Sequence, residues 1–215
     1  MTNTAAKQNK PFLDNVASYY SARLARYGET PRGVDWNDEA SQLLRFKQLS
    51  TIIQTTSHFS VNDLGCGYAA LLDYLSNRYQ RFSYLGIDVS EDMINAAKKR
   101  LIGRNDVRFI ASTKPDKIAD YTLASGIFNV RLNQSDEDWQ AYILATLDIL
   151  DRYSRHGFAF NCLTSYSDAD KIKDYLFYAN PCTLFDYCKQ HYARNVALLH
   201  DYHLYEFTIL VRKQG

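Results

Sequence analysis

Long apolar runs are missing from this chain. No window approaches the roughly 20 uninterrupted apolar residues that a bilayer-spanning helix needs, and the opening MTNTAAKQNK holds no apolar stretch suited to a secretory leader. A soluble, cytoplasmic protein is expected. Charge excess is missing as well: 25 Lys and Arg stand against 24 Asp and Glu, a formal net charge of +1. No global basic field therefore exists to draw in nucleic acid or anionic lipid, and a small, roughly neutral substrate fits better. Cysteine is scarce and scattered. Cys66, Cys162, Cys182 and Cys188 contain no CxxC pair, which argues against a thiolate metal site and suits a reducing compartment. No stretch rich in Gly, Pro or Ser divides the 215 residues, and there is no internal repeat. One compact domain with a helical extension, acting as a monomer or a homodimer, is the expectation.

Aromatics are abundant instead, with 17 Tyr and 11 Phe, enough either to line a pocket or to fill a core and its margins. After a polar tail over residues 1–10, Pro11 starts a helical pattern of Phe12, Val16, Tyr19, Tyr20, Leu24 and Tyr27, closed by Gly28. Asn37 is placed to cap a second helix whose first turn holds Asp38 and Glu39. From residue 58 the pattern changes to short apolar runs (HFSVNDLG, FSYLGIDV, DVRFIAS, DYTLASGIF, HGFAFNCL) alternating with amphipathic segments. That alternation marks βαβ units on a parallel sheet. Ser90 and Ser135 are placed as helix caps. The last two runs, NVALLHDY and LYEFTILVRK, are too close together for a parallel crossover, so they must pair antiparallel.

The stretch VNDLGCGYAALLDYL, residues 61–75, carries the chemistry. A strand ends at Asp63, turns through Gly65 and Gly67, and runs into a helix beginning near Ala69, at the carboxyl end of a parallel strand where open α/β sheets bind ligands. GCGYAA also satisfies the dinucleotide spelling G-x-G-x-x-G/A, with Asp88 about twenty residues on, so an NAD(P)-dependent oxidoreductase is one candidate. Asp63 weighs against it: a carboxylate two residues before the first glycine would repel phosphates, whereas it can balance an ammonium or sulfonium.

VNDLGCGYA resembles the first motif of class I S-adenosylmethionine-dependent methyltransferases, and YLGIDVSEDMINAAKKR resembles their second strand and following helix. The terminal hairpin is similar to theirs too. The resemblance spans roughly residues 58–213 and implies a Rossmann-like α/β fold, a seven-stranded, mostly parallel sheet in the order 3-2-1-4-5-7-6 with strand 7 antiparallel. Residues 11–57 would then be a helical lid and 58–215 the cofactor-binding domain. It further implies that Gly65, Cys66 and Gly67 pass close to the methionine moiety of S-adenosylmethionine, with Asp63 near its amino group. Asp88 would hold the ribose hydroxyls, and Val89 and Met93 would flank the adenine. The pattern's third glycine is Ala69 here, a change a helical position should tolerate. The acid that often follows the third strand is replaced by ASTK, leaving Ser112 or Thr113 for the adenine. Ser125 and Gly126 would border the cofactor. Arg45, on the second helix, is either a plain surface charge or a group that reaches the cofactor's carboxylate.

For the methyl acceptor, Asn129 and Arg131 follow the fourth strand, Arg131 offering a planar fork for an anion or an ion pair with the nearby SDED. Tyr20 from the lid and His200 at the sheet edge are candidate bases. His200 and His203 (HDYH) lack a third metal ligand, and no metal is expected. The NPC at 180–182 falls after the fifth strand and is discounted as a nucleophile. Methylation of oxygen or nitrogen in a small molecule is the expected activity; a protein that binds the cofactor without turnover is the alternative.

Overall fold

The computed structural model describes residues 10–55 and 57–213; most of the tail expected over residues 1–10 lies outside them. Two helices come first, α1 (Lys10–Tyr27) and α2 (Glu39–Ser50), joined by a strap containing a short 3-10 turn at Pro31–Val34. Then follow β1 (Phe59–Leu64), α3 (Ala70–Arg78), β2 (Phe82–Asp88), α4 (Glu91–Arg100), β3 (Val107–Ala111) and β4 (Ala119–Ala124). The chain continues with α5 (Asp136–Arg152), β5 (Ser154–Leu163), α6 (Pro181–His191), β6 (Asn195–Leu199) and β7 (Glu206–Arg212). The seven strands form one sheet in the order β3-β2-β1-β4-β5-β7-β6. The first five are parallel, and β7 runs antiparallel to both β5 and β6.

The period-2 alternation of the strands supplies two cores, one on each face of the sheet. Phe158, Phe160 and Cys162 of β5 join Trp139, Ile143 and Leu147 of α5 on one face, with Phe12 and Val16 of α1. Ala159 of β5 and Leu210 of β7 join Leu49 of α2 and Leu72 of α3 on the other. Fully burying one such side chain is worth about 1.5–3 kcal/mol, and sharing the central strands ties both layers to one sheet.

Helix starts follow side-chain capping. Ser90 accepts from Met93 N at 3.2 Å and Ser135 from Asp138 N at 3.1 Å, both as expected. The second helix is capped by Asp38, which accepts from Ser41 N at 2.7 Å, rather than by Asn37. A carboxylate is as good a cap and adds charge at the positive end of the helix. Asn180 and Pro181, the start of NPC, turn out to open α6, with the Asn180 amide oxygen accepting from Cys182 N and Thr183 N. Proline at the first helical position needs no donor there.

Candidate active site

Three hydrogen bonds from backbone N–H groups lash the loop after β1 to the end of β2. The N–H groups of Gly65 and Cys66 both donate to Ile87 O, at 2.7 and 3.0 Å, and Gly67 N donates to the Asp88 carboxylate at 2.9 Å. The other Asp88 oxygen accepts from Ser90 N at 2.9 Å, so one carboxylate fixes both the glycine turn and the start of α4. Burial raises its pKa, against which the Ser90 and Gly67 N–H groups work. Glycine at 65 is obligatory: φ is +77°, and a Cβ there would lie 2.0 Å from an Ile127 methyl. Ala69 is not helical. It holds a left-handed φ of 68° as the cap of α3, which begins at Ala70, so alanine is strained here where the family's glycine would not be.

Asp63 lies under the loop at 1% exposure. One carboxylate oxygen accepts from the Tyr84 hydroxyl and the other has no partner. Burial pushes its pKa up to about 7, the Tyr84 hydrogen bond opposing and Asp88 adding to the rise. Strand parity places further polar groups on the same face. Asp63, Ser125 and Asn161 each stand two residues beyond Val61, Leu123 and Ala159, which pack in the α2–α3 core; Glu206 stands four before Leu210. Asn161 accepts from Gly126 N at 2.7 Å, and Glu206 accepts from Arg45 Nε at 2.6 Å. The buried atoms Asp63 Oδ1, Ser125 Oγ and Arg45 Nη1 all lack a protein partner. Together they make a row of an acid, a hydroxyl and a guanidinium along the carboxyl ends of the parallel strands.

The strap roofs this row. Gly67 lies under Val34, and a Cβ on Gly126 (φ +77°) would come 2.4 Å from the Trp36 indole. Arg45 Cζ stacks 4.0 Å from the centroid of the same ring. Asp35 pins the strap to α1 by accepting from the Tyr19 hydroxyl at 2.7 Å and pairing with Arg23 at 2.9 Å. Ser21 and Ser90 hydroxyls meet at 3.0 Å, tying α1 to the start of α4. Tyr20 is near enough to Asp88 and Asp35 for their charges to add to a pKa raised mainly by burial.

Other residues singled out in the sequence fall as follows. Met93 is buried, its sulfur 4.0 Å from where a Cβ on Gly67 would stand; Val89, directly after Asp88, is half-buried. Cys66 turns its thiol under the loop toward Gly86, leaving only its backbone for a ligand. Ser112 accepts from Lys114 N and Thr113 is exposed. Asn129 is buried, accepting from Leu163 N at 3.1 Å and donating to Glu206 at 3.5 Å. Arg131 donates to the carbonyls of Leu176 and Gln134, which makes it a brace for the loop after β4. His200 is exposed between the rings of Tyr166 and Phe207. Among the described residues no group of three or more His, Cys, Asp or Glu side chains can hold a metal ion. Glu206, Asn161 and Tyr84 had not been anticipated; the one visible signal was a glutamate opening the apolar run EFTILV.

A doubly wound sheet with this strand order, a glycine turn and an acid ending β2 define a class I methyltransferase. Residues 62–151 match a family model described as a methyltransferase domain. The chain is 60% identical over 162 residues to Rv1506c of Mycobacterium tuberculosis, named as a methyltransferase, covering 75% of this chain and 98% of that one. This chain belongs to the class I S-adenosylmethionine-dependent methyltransferases, and not to the oxidoreductases that share the glycine spelling. Its fold is similar to that of DhpI bound to S-adenosylhomocysteine (TM-score 0.62, 15% identity, 94% of this chain and 96% of that one). It is also similar to that of the magnesium protoporphyrin IX methyltransferase of Synechocystis (TM-score 0.61, 13% identity, 94% and 99%).

Proposed function

We propose that this protein transfers a methyl group from S-adenosylmethionine to oxygen or nitrogen of a small, roughly neutral acceptor in the cytoplasm. The observation that carries the cofactor site is the row of unpartnered buried groups beside the glycine turn. Asp63 Oδ1 suits the ammonium and Arg45 Nη1 the carboxylate of an amino-acid end, with Ser125 between them. Gly65, Gly67 and Gly126 present bare backbone, to which Cys66 adds only main chain. Asp88 retains lone pairs for ribose hydroxyls, while Val89 and Met93 supply apolar surface and Ser112 and Thr113 hydroxyls for an adenine.

The bound cofactor supplies an electrophilic methyl on a sulfonium. The chain's part is to align donor and acceptor and to exclude water, for which the strap and Trp36 are placed. Asn129, buried within the loop after β4, and Tyr20 are the side chains we assign to the acceptor side; His200 and Arg131 have the weaker placement. The net charge near zero and the absence of a basic field favour a small molecule over nucleic acid.

The test is calorimetric titration with S-adenosylhomocysteine. Asp88→Ala should weaken binding by about 1–3 kcal/mol, since charge-assisted hydrogen bonds are lost. Absence of binding to the wild type would refute the cofactor site. Binding without methyl transfer to any member of a metabolite library would favour a binding protein over an enzyme.

A further inference from the structure

Glu206 is out of place by composition. It opens a strand whose following residues Phe207, Ile209, Leu210 and Val211 are at most 1% exposed, and it is itself 1% exposed. Burial raises its pKa, and the Arg45 guanidinium, aided by the Asn129 amide, opposes that rise. An ion pair this deep is seldom kept for stability, because an apolar pair of similar volume is usually as stable or more so.

The geometry around Arg45 shows what the pair does. One edge of the guanidinium is clamped, Nε donating to Glu206 at 2.6 Å. One face is covered, with the Trp36 ring centroid 4.0 Å from Cζ. Nη1 is buried and has no partner. The clamp is itself held: Asn161 donates to Glu206 at 3.4 Å while its oxygen accepts from Gly126 N, and Asn129 donates to the second carboxylate oxygen at 3.5 Å. A flexible arginine is thereby held in one orientation with its buried Nη1 still free to donate, so much of the rotamer entropy lost on binding is already spent before a ligand arrives.

We propose that Glu206 is a positioning residue for the methyl donor: it locks Arg45 so that Nη1 is presented to the carboxylate of the cofactor's amino-acid end. The inference rests on the cofactor site assigned above and extends it to a residue three strands away from the glycine turn. Its consequence is selectivity. The protein should distinguish S-adenosylhomocysteine from 5′-methylthioadenosine, which keeps the adenosine but lacks the carboxylate and ammonium, and that distinction should depend on Glu206.

Calorimetric titration of both ligands into wild type, Glu206→Gln, Arg45→Met and the double variant tests this. Glu206→Gln should weaken S-adenosylhomocysteine by about tenfold, the size expected when a charge-assisted hydrogen bond loses its orientation, and leave 5′-methylthioadenosine unchanged. In the Arg45→Met background the same substitution should add nothing, because the residue acts only through Arg45. Equal weakening of both ligands, unchanged S-adenosylhomocysteine affinity, or additive effects would each overturn the proposal while leaving the methyltransferase assignment intact. Wild type that binds neither ligand would instead remove the cofactor site itself. If Glu206→Gln does not fold, Arg45→Met/Glu206→Met supplies an apolar pair in its place. It should then bind 5′-methylthioadenosine like wild type and show a preference for S-adenosylhomocysteine reduced by about tenfold or more, the Asp63 contact to the ammonium keeping the remainder; an undiminished preference overturns the proposal.

Discussion

Asp63 shows how one buried carboxyl sets a pH dependence for the whole protein. Its folded pKa of about 7 lies above the ordinary carboxyl value near 4 of an unfolded chain. Between those values the folded state holds a proton that the unfolded state has released, so stability is fullest at low pH and is lost as pH rises through this window. The shift corresponds to at most about 4 kcal/mol at 1.36 kcal/mol per unit. Asp88 and Glu206, also raised by burial, tilt the curve the same way. Urea unfolding at pH 5 to 8 should show this decline, and Asp63→Asn should flatten it; an unchanged slope would rule Asp63 out as its source. Ala69 allows a second prediction. Relief of left-handed strain by Ala69→Gly is worth about 1–2 kcal/mol, and the freer unfolded chain takes back about 0.4–1 kcal/mol. Loss of the fully buried Ala69 methyl takes back about 0.8 kcal/mol more, so the urea midpoint should stay nearly unchanged; a clear fall would show that the left-handed alanine carries little strain. These values were hidden from the sequence: Asp63 was legible as an acid before a glycine turn, but its protonation depends on Tyr84 and on burial that only packing defines.

At the scale of elements, the strap between α1 and α2 is the part that covers the glycine turn. Val34 and Trp36 rest on Gly67 and Gly126, the backbone proposed above to receive the cofactor; on that proposal binding displaces or re-seats the indole. Trp36 emission should change when S-adenosylhomocysteine is added, and Trp36→Phe should abolish the change, since Trp139 is buried with its indole N–H donating to Phe128 O. A response that survives Trp36→Phe would place the moving part elsewhere. Gly126→Ala should act on the same contact. Its Cβ would overlap the indole, and overpacking of that kind costs about 1–3 kcal/mol, read as a lower melting temperature and a shifted Trp36 spectrum. The two helices and the loop were visible from periodicity and from Gly28. Which glycines they cover was not, because a contact between residues 36 and 126 leaves no local pattern.

For the whole molecule, both cores lean on the same central strands. Phe158 and Phe160 face one layer while Ala159 between them faces the other, so neither layer can lose its packing and leave the other intact. Unfolding should be a single transition in which far-UV circular dichroism and Trp139 fluorescence coincide. Phe160→Ala, which empties a site with no solvent exposure, should cost about 3–5 kcal/mol and shift both signals together. Separated transitions would show that the α1–α5 layer unfolds on its own.

The strand order was implied by the resemblance to a known family, whereas helix alternation and the glycine turn with its two acids were determined by the sequence itself. Each of the latter is written within one stretch of chain, as a period of 2 or 3.6, a cap, or a turn that only glycine adopts easily. The assignment to class I methyltransferases followed from those local signals. The tertiary structure alone decided the other half of the site: that Glu206 faces Arg45 across 161 residues, that Asn161 holds Gly126, and that Arg131 braces a loop. Such pairings arise where strands distant in sequence end side by side. Burial there turns an ordinary side chain into a fixed donor or a shifted acid, which no pattern in the chain records.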